Sequence, residues 1–563
     1  MTSEDSWVLG TARRARRLAG RMRRRVMRSR LVKRLQGRHD LPDHPDLRRI
    51  SRGYHDPKEI AALDKQVVAA GHGASDERAR LSKAAAKVGD LELALSIAED
   101  MIGRGSTSRQ AIEIRDRSRD RLDILANGFP RLRTRASEPA YTPDPTSVLC
   151  VLSQSLPIRA GGYATRSHGI ISAVARAGWD VEAITRLGFP YDRWPADDTR
   201  EVPPTDVVDG IRYHRALVPG QREYPQVPLR DYLDQSARMI ADAARQQRAA
   251  LIHASSFYAT GLAAAEAAHE LGIPFVYEMR GLEDLMRTAA HGSYRDSLDY
   301  RFLVEAETET CRRADHVLVI TDALAEEMVA RGVPREKMTV VPNGVHVDEF
   351  TPAPRDQELA EELGFTGKTV IGYLGGFPHY EGLRLLVRAV ATLRQRRDDF
   401  RVLLVGDGQQ DRTLRRDVEE LGLSDVVTFT GRVPHDQIPR YLSVTDITPF
   451  PRLPLDVCEL ISPMKPYEAM AMTKAVVVSD VAALAQIVHD GETGLTFRKG
   501  DADDLADKLE LLITRPDLRE RLGTAARQWV LDKADWSVIA RRVDEVYRTL
   551  LPTARPGETS GAA

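Results

Sequence analysis

In the stretch PFPRLPLDVCELISPMKPYEAMAMTKAVVVSD, residues 449–480, Lys465 and Glu468 stand three residues apart, and Arg452 precedes them in the same segment. On a helix, residues three apart share a face. A cation and a carboxylate on one face at a helix start suit a ligand with a diphosphate at one end and a ribose diol at the other. Ser462-Pro463 has the chemistry of an N-cap followed by a first helical residue. Pro466 argues for a later start, because a proline at the fourth helical position forfeits a hydrogen bond. The flanking runs at 446–450 and 475–478 read as strands. A loop and helix start between two parallel strands is where an open α/β sheet holds its ligand. Taken alone, the Lys465–Glu468 pair reads equally well as a solvated ion pair.

Other residues join this segment only through the fold. GGYATRSHG, residues 161–169, follows a strand and opens a helix, so Gly161 and Gly162 let backbone N–H groups approach a phosphate or a sugar. Glu278 and Arg280 in YEMRGLEDL come just after a strand. His253 and Ser255 in LIHASSFY end the preceding strand, on the same side if the sheet is parallel. VPNGV (341–345) and VGDGQ (405–409) are turns or ligand loops, and TGRVP puts Arg432 and Val433 past another strand. No zinc cluster, P-loop, nucleophile elbow or kinase motif is present.

Alternating strand and helix patterns must position these residues. SVLCVLS, WDVEAIT, IRYHRAL, ALIHAS, PFVYEM and HVLVIT are strands of one half; TVIGYLG, FRVLLVG, VVTFTG, DITPF and AVVVS belong to a second. Two successive parallel sheets predict two facing Rossmann-like domains, 147–350 and 351–535. Pro352 and Pro354 interrupt the pattern at their boundary. Residues 536–551 read as a closing helix and 552–563 as a disordered tail. Ahead of the sheets, 61–130 reads as an alanine-rich helical hairpin whose AKVGDLELAL phrase resembles one tetratricopeptide-type unit. One unit cannot stack into a solenoid, which points to docking of a protein partner. The segment 131–146 is a proline-bearing linker.

A chain of 563 residues has room for three or four domains. No apolar run approaches the roughly 20 residues of a membrane span, and the N-terminal arginines have no apolar core behind them, unlike a secretory signal. Cys150, Cys311 and Cys458 are too scattered for a disulfide framework or a metal site. A cytoplasmic setting is the expectation. Residues 11–38 hold 13 Lys and Arg and no acid, which leaves 68 basic against 82 acidic residues elsewhere. Within that segment, 11–36 has apolar residues at spacings of three and four, a basic amphipathic pattern suited to an anionic membrane surface. Nucleic acid, an acidic partner and a solvated tail are its other readings. The acidic body argues against nucleic acid as a substrate.

Together these stretches resemble the retaining glycosyltransferases of family 4, which have the GT-B fold, across about residues 147–547. The phrases that carry the likeness are GGYATRSHG, HVLVIT, VPNGV, IGYLGGF with YEGL, VGDG, FTGRVP, KPYEAMAM and DGETGL. The resemblance implies sugar transfer from a nucleotide-diphosphate sugar without a metal or other cofactor. It also implies an acceptor on the first domain and a donor on the second. By resemblance Glu468 holds the ribose, Arg432 and Val433 meet the base, and Gly161–Gly162 cover the diphosphate. Three positions depart from the family pattern. Gly376 and Glu381 stand where an arginine and a lysine usually grip the diphosphate. Leu460 stands at the first glutamate, with Glu459 beside it, and Ser255 replaces the second histidine of a pair begun by His253. Lys465 and Arg452 are expected to compensate, as in a branch of surface-polysaccharide enzymes. Lys465, Glu459, His253 and Arg280 are therefore the candidate catalytic set. The expected acceptor is a cell-envelope or lipid-linked glycan. A non-catalytic scaffold, a nucleotide-sugar epimerase and a glycan phosphorylase are the alternatives.

Overall fold

The computed structural model describes residues 56–130, 132, 141–195 and 197–554. The basic segment 11–38 lies outside them.

The apolar runs form two sheets. The first contains β1 (Asp144–Leu152), β2 (Asp180–Thr185), β3 (Thr205–Val208), β4 (Ile211–His214), β5 (Ala249–Ser255), β6 (Phe275–Met279), β7 (His316–Val319) and β8 (Met338–Val340). Their spatial order is β3-β4-β2-β1-β5-β6-β7-β8. Every pair is parallel except β3–β4, a hairpin turned by Asp209 and Gly210 at φ 49° and 82°. The second sheet contains β9 (Thr369–Leu374), β10 (Phe400–Val405), β11 (Val427–Gly431), β12 (Ile447–Phe450), β13 (Ala475–Ser479) and β14 (Leu495–Phe497). Its order is β11-β10-β9-β12-β13-β14, all parallel. Strands such as β5 and β13 are buried along their whole length, as sheets covered by helices on both faces require.

In each sheet the winding reverses beside the first strand, between β1 and β5 and between β9 and β12. The loops leaving the C-terminal ends of these strands meet in one cleft. After the second sheet the chain returns. Helix Trp536–Leu550 packs Trp536, Ile539, Val543 and Tyr547 against Val148, Cys150 and Leu152 of β1. Trp179 Nε1 donates to Asp544 at 2.7 Å, fastening that helix to the first domain.

The N-terminal region corrects the hairpin expectation. Among the described residues it is four helices: α1 (Pro57–Ala69), α2 (Asp76–Val88), α3 (Leu91–Gly103) and α4 (Arg109–Asn127). The predicted single first arm breaks at Gly89-Asp90. Gly89 ends α2 in the left-handed conformation, and the Asp90 side chain caps α3 by accepting from Leu93 N. Ile60, Leu81, Ile97, Met101 and Ile114 form this module's own core.

Candidate active site

The cleft between the sheets encloses about 520 Å³. Its first wall comes from the loops after β1, β5 and β6. Helix Gly162–Arg176 starts at the rim with Gly161 as its N-cap, presenting backbone N–H groups to the space. Beneath it, Glu278 is fully buried between two arginines. Arg166 Nε donates to its Oε1 at 2.9 Å and Arg280 Nε to its Oε2 at 2.8 Å. Burial pushes the Glu278 carboxyl up, but Arg280 and Arg166 outweigh it and hold the group well below the usual range. Two cations against one carboxylate leave this wall with one net positive charge.

The second wall repeats that stoichiometry. Glu381, in the loop after β9, is buried between Lys465 Nζ and Arg452 Nε, each 3.3 Å from a different carboxylate oxygen. Tyr373 Oη adds a donor at 2.8 Å. Burial raises the Glu381 carboxyl, and Lys465 and Arg452 more than offset it, so it stays ionised. Lys465 lies across Gly375, where an added Cβ would come within 2.1 Å of its Cε. The lysine needs that glycine. Helix Lys465–Ala471 begins at Lys465 with Pro466 in its first turn, the later of the two starts the sequence allows. Ser462 serves the other domain instead: Asn343 Nδ2 donates to its carbonyl at 2.8 Å and to its hydroxyl at 3.0 Å. Glu468 lines the cleft on the same helix, and no hydrogen bond from a described residue reaches its carboxylate. Burial raises its carboxyl, which His435 and Lys465 only partly offset.

Six of the residues expected from sequence therefore share the cleft: Gly161, Gly162, Arg280, Arg452, Lys465 and Glu468. Four do not line it. His253 sits under it, with Nδ1 2.6 Å from Tyr547 Oη of the returning helix and Nε2 3.6 Å from Glu278. Glu459 is turned away, receiving Lys499 Nζ at 2.7 Å and Ala482 N at 2.7 Å. Its short helix, Asp456–Leu460, buries Val457 and Cys458, which leaves Glu459 on the outer side. Arg432 is 79 % exposed and pairs with Asp407 at 3.0 Å, and Val433 packs on the core. His435 and Ile438, a few residues on, line the cleft in their stead. Sequence reasoning missed Arg166 and Asn343. Each lay inside a phrase already singled out, GGYATRSHG and VPNGV, and they bond to each other at 3.0 Å.

The model of the 4-like domain of glycosyl transferases matches residues 161–344, and that of glycosyl transferases group 1 matches 355–529. The chain belongs to this glycosyltransferase family. A D-inositol 3-phosphate glycosyltransferase of Arthrobacter sp. (strain FB24) is 27 % identical over 378 residues, 65 % of this chain and 85 % of that enzyme. An alpha-D-kanosaminyltransferase of Streptomyces kanamyceticus is 28 % identical over 254 residues, 44 % of this chain and 63 % of that enzyme. Sucrose-phosphate synthase from Thermosynechococcus elongatus shares the fold with a TM-score of 0.60 and 22 % identity, covering 73 % of this chain and all of that one. Anabaena HepE, solved with UDP, has a TM-score of 0.56 and 18 % identity, covering 72 % of this chain and all of its own. The glycosyltransferase thus has the GT-B architecture of two facing parallel-sheet domains. Helices α1–α4 precede both matched regions. No described helix is long and apolar enough to cross a membrane.

Proposed function

We propose that this glycosyltransferase moves a sugar, with retention of configuration, from a nucleotide-diphosphate sugar to a cell-envelope or lipid-linked glycan. The observation that carries the reading is the pair of opposed charge triads, each with two cations and one carboxylate. A diphosphate seated between the start of helix Gly162–Arg176 and Lys465 meets one excess cation in each triad, with the Glu468 carboxylate three residues away for the ribose end. That positive charge is fixed before the leaving group develops its own, which is the arrangement that stabilises such a transition state most. Glu468, three residues from Lys465, is placed for a ribose diol. Arg280 stands on the opposite wall, and His253 supports the strand from below.

Retention fits the placement of the carboxylates. Of the two carboxylates that line the cleft among the described residues, Glu381 is engaged by Lys465 and Arg452, and Glu468 belongs to the ribose end. Neither is left to attack the anomeric carbon, so the departing diphosphate is the base for the acceptor hydroxyl. The basic segment 11–36 would bring the enzyme to anionic lipid, and α1–α4 would offer a surface to a protein partner.

A thermal-shift and hydrolysis screen over UDP-, GDP- and TDP-sugars tests the donor assignment. One base should stabilise the protein and release its sugar slowly. No shift and no turnover with any of them, or a product of inverted configuration by NMR, would overturn the corresponding part. Sedimentation with anionic and neutral vesicles tests the membrane assignment.

A further inference from the structure

Helices α1–α4 lie outside both regions that match the family, yet they are wired to the rim of the cleft. Arg121 of α4 reaches the buried Asp299 through Nη1 to Oδ1, lies 4.6 Å over the Phe302 ring and donates to Tyr258 Oη at 3.3 Å. Asp299 spends its other oxygen on Arg287 Nη1 at 2.8 Å and Tyr294 Oη at 2.6 Å. Arg287 belongs to helix Glu283–Ala290, whose Met286 is 43 % exposed and lines the cleft. A few residues on, Arg295 pairs with Asp456 of the second domain. The module makes a second contact with the same corner. Gly89 O accepts from Asp299 N at 3.3 Å, and a Cβ on Gly89 would come within 2.1 Å of Ser297 Oγ.

We propose that the helical module is a built-in support for the rim segment 283–296, with Arg121 and Asp299 as positioning residues for transfer. Asp299 is buried, so its two oxygens need all their donors. Arg121 supplies one from outside the catalytic domains. Without it, the carboxylate that steadies Arg287 and Tyr294 is left partly unpaired, and the rim helix loses its fixed placement against the second domain. The module is then part of the catalytic body, holding the wall opposite the donor. Only the kinetic readout below rests on the proposed transfer reaction.

The test compares the full-length protein with Arg121→Ala, Gly89→Ala and Arg121→Lys, using hydrogen exchange on peptides covering 283–296 and 465–471. Arg121→Ala and Gly89→Ala should speed exchange in 283–296 at least tenfold and leave 465–471 unchanged, with Arg121→Lys in between. For transfer, kcat should fall at least fivefold while donor KM stays within twofold. Folded variants whose 283–296 segment exchanges like the parent's would overturn the proposal. If Arg121→Ala does not fold, Gly89→Ala and Arg121→Lys decide it by the same exchange measurement. A parent that transfers no sugar would sink the functional reading and leave the exchange result standing.

Discussion

Lys465 Nζ and Glu381 Oε2 stand 3.3 Å apart on the second wall of the cleft, with Arg452 on the other carboxylate oxygen. Glu381 occupies the position at which the resemblance implies a cation, and the lysine has come instead from helix Lys465–Ala471 on the same wall. The carboxylate holds that lysine over Gly375 before any ligand arrives.

Lys465→Ala is therefore expected to lower donor turnover by about 100-fold or more, the usual loss when one preorganised donor to a leaving group is removed. Steady-state hydrolysis of the stabilising nucleotide sugar measures it. Turnover within a few-fold of the parent would remove Lys465 from the mechanism.

Glu381→Gln should act in the opposite sense on binding. It leaves Arg452 and Lys465 buried without their counter-charge, at a cost of about 3 kcal/mol, so the melting temperature of the free protein falls. A nucleoside diphosphate supplies the missing negative charge, so its stabilising shift should exceed the parent's. Thermal melts with and without ligand measure both effects, and a smaller shift than the parent's would contradict the account.

Glu468 gives a pH signature. Burial raises its carboxyl above the ordinary carboxylate value of about 4.3. The ionised form is the one that accepts from a ribose diol. Donor affinity is therefore full above that raised value and lost as pH falls through it. Glu468→Gln should weaken binding about tenfold at pH 7.5, as loss of charge-assisted hydrogen bonds does. It should also flatten the acid limb, which titration calorimetry between pH 5 and 8 would record.

How much of this was legible follows from how far apart the partners are in the chain. β5, β6 and β13 are short runs dominated by apolar residues and bounded by breaks in the pattern, so the two sheets could be read directly. β8 and β14 have three residues each, too few to make a run. β3 was missed although Asp209-Gly210 is a strong hairpin signal. Lys465 and Glu468 were legible because helical spacing brings them together by itself. His253 was not. Strand alternation aligned it with Ser255, but the face is covered by Tyr547, 294 residues later. Arg121 and Asp299 are 178 residues apart, and no local pattern joins them.

Glu307 tests the first domain's interior. It is fully buried behind the cleft, accepting from Tyr277 Oη at 2.6 Å and Tyr258 N at 2.9 Å. Burial pushes its carboxyl up to about 8 against those donors. The folded chain then keeps this proton where the unfolded chain, at about 4.3, has lost it. The folded state binds more protons over that window, so this group's contribution to stability is full below it and is lost as pH rises towards 8. Glu307→Gln keeps the shape and cannot ionise. Its melting temperature relative to the parent should rise steadily from pH 5 to pH 8. A difference independent of pH would mean the carboxyl is ionised throughout.

Glu459 and Arg432 separate the sequence pattern from the geometry. Both belong to phrases that resemble the family's donor site, so the pattern alone assigns them roles. The structure gives Glu459 to Lys499 and the Ala482 N–H, and it leaves Arg432 in solvent beside Asp407. Exposed pairs of this kind contribute at most about 1 kcal/mol. Glu459→Ala and Arg432→Ala should therefore leave kcat and donor KM within about twofold, a factor that corresponds to a few tenths of a kcal/mol. Steady-state assays beside Lys465→Ala make the comparison. A large loss in either variant would mean that the second domain rearranges when the donor binds. The cleft's charge would then have to be counted again with Glu459 or Arg432 inside it.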